Sequence, residues 1–154
     1  MNANEKLIVH FYTCFKNRDY KGMQACYADK AIFNDAIFKN LNSAQVRSMW
    51  EMLLSKSKDL RIEFSAVNAD EKTGSAHWDA YYTFSSTGKK VINRIDATFE
   101  FENGKIVKHI DNFNFYAWSK QALGLKGLLL GWTNVVKTKI SEAAMKNLAG
   151  FMNK

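Results

Sequence analysis

The feature that most constrains this chain is a change of period at Leu60. Before it, apolar residues recur at helical spacing: Leu7, Ile8, Phe11, Cys14 and Phe15, then Val46, Met49, Trp50, Leu53 and Leu54. After it they alternate. Leu60, Ile62, Phe64 and Ala66 interleave with Arg61, Glu63 and Ser65, as in a strand with one face buried. Turn signals at Lys72-Thr73-Gly74, Ser86-Thr87-Gly88 and Asn103-Gly104 then part segments near 75–85, 90–102 and 105–116, spaced as consecutive antiparallel hairpins. Helices first and a meander afterwards predict an α+β fold.

Smaller signals fill in the N-terminal half. Asn4 and Glu5 suit the start of a first helix ending near Lys16. Asp19 can cap a short second helix through Cys26, and Ala31-Ile32-Phe33 predicts a brief extended segment ending near Asp35. Asn42 followed by Gln45 has capping-box spacing and opens the third helix. At the other end, Val136, Ile140, Ala143, Ala144 and Leu148 form one stripe of a final helix from about Thr133 to Ala149. Gly124, Gly127 and Gly131 make its approach irregular.

Composition excludes several classes. With 154 residues, 47% of them hydrophobic, and no proline, the chain suits one globular domain rather than a linker. The net charge of +7 is concentrated after Ser119, without an arginine-rich run or an aromatic nucleic-acid signature, so nucleic acid is not an expected partner. Residues 1–20 lack a signal-peptide pattern, and the longest apolar run, Leu128-Leu129-Leu130-Gly131-Trp132, is too short to span a membrane. A cytoplasmic protein without a membrane role is expected. Cys14 and Cys26 read as buried free thiols.

Two segments, YKGMQACYADKAIFND (Tyr20 to Asp35) and FEFENGKIVKHIDNF (Phe99 to Phe113), together with the element order, resemble the nuclear transport factor 2-like superfamily over about residues 4–123. That superfamily includes ketosteroid isomerase, limonene epoxide hydrolase and SnoaL-like polyketide cyclases. The resemblance implies a cone-shaped curved antiparallel sheet wrapped around N-terminal helices, with a cavity open at one end, often in a homodimer. Residues 124–154 would then be a C-terminal helical extension packed on the same domain. Expected partners are an apolar small-molecule ligand and a second copy of the chain, with no cofactor and no metal.

Roles can be carried over residue by residue. Tyr12 falls where the isomerase tyrosine sits and Asp35 where its base sits. The isomerase's second aspartate falls on Asp96 or Ala97; alternation puts Ile95, Ala97, Phe99 and Phe101 on the apolar face and Asp96 away from it. In the epoxide hydrolase pattern Asp111 takes one catalytic position and Asp79 the other, with His77 in place of the arginine. Alternation leaves the facing of that strand open, although bulk favours Trp78, Ala80, Tyr82 and Phe84 inward over His77 and Asp79.

From the residues alone, His109 and Asp111 form the sharpest site. They share a predicted strand face with Val107, Phe113 and Phe115, surroundings that desolvate a carboxylate and favour acid-base chemistry. Pocket walls are expected from His77, Ile95, Phe99, Phe113 and Trp50. The expected function is a cofactor-free isomerase, cyclase or hydrolase acting on an apolar substrate. The alternatives are a non-catalytic ligand-binding or dimeric interaction protein, and an interaction or membrane-surface module working through the basic C-terminal helix.

Overall fold

The computed structural model describes residues 1–154. Helix α1 (Ala3–Lys16) is capped by Asn2, whose side chain accepts from the Glu5 amide. Asn4, expected at the cap, instead donates to the carbonyls of Asp70 and Glu71 and ties the helix to a distant turn. Asp19 caps α2 (Tyr20–Ala25), and strand β1 (Tyr27–Asn34) follows. In α3 (Ser43–Lys56) the capping box of Asn42 and Gln45 is complete in both directions.

Four strands come next: β2 (Arg61–Ala69), β3 (Thr73–Phe84), β4 (Lys89–Glu102) and β5 (Lys105–Asn112). They make one curved, unclosed sheet in the order β1-β5-β4-β3-β2, antiparallel except that β1 runs parallel to β5 at the edge. Asn103 and Gly104 both take positive φ, 50° and 74°, which the tight β4–β5 turn requires and which asparagine and glycine tolerate best.

The inner face of the sheet closes on α1 and α3. Alternation is strict along β4, where Val91, Asn93, Ile95, Ala97, Phe99 and Phe101 are buried and Asp96 is exposed. On β3 Trp78 and Ala80 are buried, so bulk decides the facing, as expected.

Three elements complete the chain: α4 (Phe115–Leu123), α5 (Leu125–Leu130) and α6 (Asn134–Met152). The last predicted strand is therefore shorter than 105–116. Asn114 stops it by capping α4, its side chain accepting from the Ala117 amide. Helix α6 returns to the domain through Leu148, Ala144, Met145 and Phe151, while Val136 and Ile140 pack against a smaller cluster around Trp118. No helix is long and apolar enough to cross a membrane.

Candidate active site

Between the sheet and α3 lies a cavity of about 650 Å³, in which 19 of the 30 lining residues are hydrophobic. Trp50 and Met49 come from α3, Trp78 and Ala80 from β3, Ile95 from β4, Phe113 from the turn after β5, and Ile140 and Ala144 from α6. Three carboxylates interrupt this apolar wall: Asp59, exposed and bonded by the Thr83 hydroxyl, and, deeper in, Asp35 and Asp111. A mostly apolar space with a few convergent polar groups is the usual form of a small-molecule site.

Asp111 is 3% exposed and both its protein hydrogen bonds fall on Oδ1. His109 Nε2 lies 2.9 Å from that oxygen, and Trp78 Nε1–H donates to it at 3.4 Å. Behind them, Tyr27 Oη is 2.8 Å from His109 Nδ1, and Trp50 Nε1–H donates to Tyr27 Oη at 2.9 Å. One proton arrangement satisfies the whole chain: the Tyr27 hydroxyl, already accepting from Trp50, donates to His109 Nδ1, and His109 Nε2–H donates to Asp111. The imidazole orientation is thereby fixed, and Asp111 Oδ2 has no hydrogen-bond partner within the protein.

A bulge makes this placement possible. Phe101 pairs with Ile106 but Glu100 pairs with Lys108, so Val107 is an extra residue in β5 and resets its alternation. Ile106 is then fully buried, His109 and Asp111 follow on the inner face, and Val107, expected beside them, is only half-buried.

Asp35 sits just beyond β1, where Oδ1 accepts the backbone amides of Ile37 at 2.7 Å and Phe38 at 2.6 Å. Burial outweighs those two bonds and, with the nearby Asp111 charge adding to it, pushes its pKa up to about 7. Asn93 is buried on the cavity wall of β4.

The SnoaL-like domain family matches residues 8–109. The chain belongs to it. This SnoaL-like chain thus sits in the nuclear transport factor 2-like superfamily. No curated protein matches the sequence. Among solved structures it is similar to TerC, co-crystallised with polyporic acid, with a TM-score of 0.66 and 13% identity over 78% of this chain and 98% of that one. It is also similar to TsrD from Streptomyces laurentii (0.66, 15%, 79% and 95%) and to an LEH-like epoxide hydrolase from M. tuberculosis (0.64, 16%, 82% and 92%). At such identities the likeness concerns the fold.

Not every carried-over position reaches the SnoaL-like cavity. Asp79 and His77 are corrected: with Trp78 inward, strand alternation sends both to the outer face of the sheet. There His77 Nδ1 meets Asp96 Oδ1 at 2.8 Å and Nε2 meets Asp79 Oδ1 at 2.9 Å, and these bonds, that to Asp96 foremost, raise the imidazole pKa. His77 and Asp79 therefore lie on the opposite face of the sheet from His109 and Asp111.

Tyr12 is fully buried but lines no part of the cavity; it stacks on Phe64 at 5.4 Å, and its hydroxyl has no partner. Burial, then the Asp111 and Tyr27 charges, push its pKa well above the ordinary tyrosine value. Phe99 also sits behind the site, its ring 4.4 Å from that of His109. Trp50, Ile95 and Phe113 do line the cavity. Residues missed from sequence are Tyr27, whose burial β1 settles only once paired, and Tyr82 and Trp118, joined by a 2.7 Å bond from Trp118 Nε1–H to Tyr82 Oη. No local spacing links two residues 36 apart.

Proposed function

We propose that this protein binds an apolar small molecule with one polar, proton-exchanging group and performs cofactor-free proton transfer on it, as an isomerase, cyclase or hydrolase would. The observation that carries this reading is the convergence of Asp35 and Asp111 on one apolar cavity in unlike settings. Asp35, titrating near 7, has both a donor and an acceptor form at neutral pH. Asp111, its Oδ1 engaged by two N–H groups, offers Oδ2 as the proton acceptor. Two carboxyl groups held in different environments can divide the acid and base roles of a reaction.

In this scheme His109 and Tyr27 are positioning residues, since they reach the ligand only through Asp111. TerC with polyporic acid and the epoxide hydrolase lend support, because both show this fold associated with small organic molecules. The reading has the protein act in the cytoplasm as a homodimer joined through the outer sheet face.

The test begins with native mass spectrometry of the purified chain to identify a retained molecule, followed by assays on that molecule and its chemical relatives. Asp111→Asn is expected to keep binding and to lower turnover at least about a hundredfold. Undiminished turnover would end the acid-base reading. A retained molecule that neither protein ever converts would favour the non-catalytic binding alternative.

A further inference from the structure

Helix α5 is packed inside out. Its small residues face the protein: a Cβ at Gly127 would collide with the Ser119 carbonyl oxygen, and one at Gly131, just past the helix, with the Ser119 hydroxyl. Its large apolar residues face solvent: Leu125 is 70% exposed, Leu128 51%, Leu129 60% and Leu130 46%. Trp132 and Val135 continue the patch at 73% and 64%. Six of the ten exposed large hydrophobic residues therefore fall within eleven positions, which makes a contiguous patch rather than ordinary scatter. Bonds hold this arrangement. Tyr116 Oη–H donates to the Leu128 carbonyl at 2.9 Å, and Trp132 Nε1–H donates to that of Leu129 at 3.1 Å.

We infer that Leu125–Val135 is a docking surface for an anionic lipid bilayer, the outward leucines and Trp132 entering the interface while neighbouring lysines bind the headgroups. The charged residues that adjoin the patch along the chain have one sign. From Asn112 to Ser141 the chain carries Lys120, Lys126, Lys137 and Lys139 and no Asp or Glu, and the Lys89 side chain reaches the α4–α5 junction at Gly124. A lysine-rimmed apolar patch with tryptophan at its edge is what binds an anionic interface.

A second copy fits less well, since a two-fold contact here would press each lysine rim against its own image. Protein interfaces also favour arginine and exclude lysine, whereas this stretch has lysines and no arginine. The sequence excludes a membrane-spanning segment on the length of the Leu128–Trp132 run, and the α6 stripe packs on the domain; neither bears on interfacial docking. The leucines that point outward belong to α5.

Docking rests on these residues alone and not on the catalytic reading. The flanking elements α4 and α6 both wall the cavity, through Leu123 and Ile140 among others, so a docked protein would hold that wall near lipid.

The test uses the full chain with vesicles of phosphatidylcholine alone or mixed with phosphatidylserine, read by co-sedimentation and by acrylamide quenching. Trp50, Trp78 and Trp118 are at most 5% exposed, so quenching reports Trp132. Phosphatidylserine vesicles should bind the protein and shield Trp132, and added salt should reverse both. Leu128→Ser/Leu129→Ser should cut partitioning at least about tenfold, and Lys126→Gln about fivefold, with melting unchanged because all three side chains are exposed. The proposal is overturned by no binding at low ionic strength, by equal binding to phosphatidylcholine alone, or by undiminished binding of the leucine variant. Shielding of Trp132 that grows with protein concentration in the absence of lipid would overturn it in favour of a second copy.

Discussion

At the scale of single residues, the two deeper cavity carboxylates differ in what their removal should do. Asp35 titrates near 7 in the fold against an ordinary value near 4, so its ionisation opposes folding. Below about pH 4 both states hold the proton and nothing is lost; as pH rises through about 7 the folded protein must carry a buried charge, and stability falls. Asp35→Asn should therefore melt like the parent at pH 4 and be more stable at pH 8 by roughly 2 kcal/mol, a discounted figure because the residue is only half-buried. Asp111→Asn should fold normally, since the amide oxygen can still accept from His109 and Trp78. Asp111→Leu should cost about 1–3 kcal/mol by stranding the His109 N–H. Tyr12, whose hydroxyl is buried without a partner, should tolerate phenylalanine with no loss of melting temperature and no change in turnover. A drop in turnover for Tyr12→Phe would restore the catalytic role that its position in the sequence suggested.

At the scale of elements, what was legible depended on whether a signal was local. The α3 capping box, the Asn103-Gly104 turn and the alternation of β4 each lie within a few residues, and each is found where the pattern puts it. The facing of β3 was legible through volume, because Trp78 and Ala80 fill the core better than His77 and Asp79. Non-local facts were hidden. The Val107 bulge exists only in pairing with β4, so alternation along β5 alone assigns Val107 to the wrong face. Helix α5 was hidden for a different reason: Gly124, Gly127 and Gly131 read as an irregular approach to the last helix, whereas Gly127 packs inward and the leucines point outward. That reversal makes Gly127 critical. Gly127→Ala should lower stability by about 1–3 kcal/mol, read in a thermal melt, by forcing α5 away from the Ser119 carbonyl. An unchanged melt would mean that α5 is not held as described.

At the scale of the whole molecule, the outer sheet face carries Tyr81, Ile110 and the 44%-exposed Ile92 around the His77, Asp79, Asp96 and Arg94 cluster. The proposed homodimer would cover this face, and light scattering at micromolar concentration should give twice 17.6 kDa. A mass of one chain would remove the dimer but leave the cavity account intact. The cavity account itself is that curved sheet, α3 and α6 border an apolar space in which burial and, to a lesser degree, the Asp111 charge raise the pKa of Asp35. Carboxyl NMR of Asp35, titrated in the parent and in Asp111→Asn, measures this directly. The account predicts a midpoint near 7 in the parent and a lower one in the variant, because removing the Asp111 charge removes one of the influences raising it. A midpoint near 4 in the parent, or one that Asp111→Asn leaves unmoved, would contradict it.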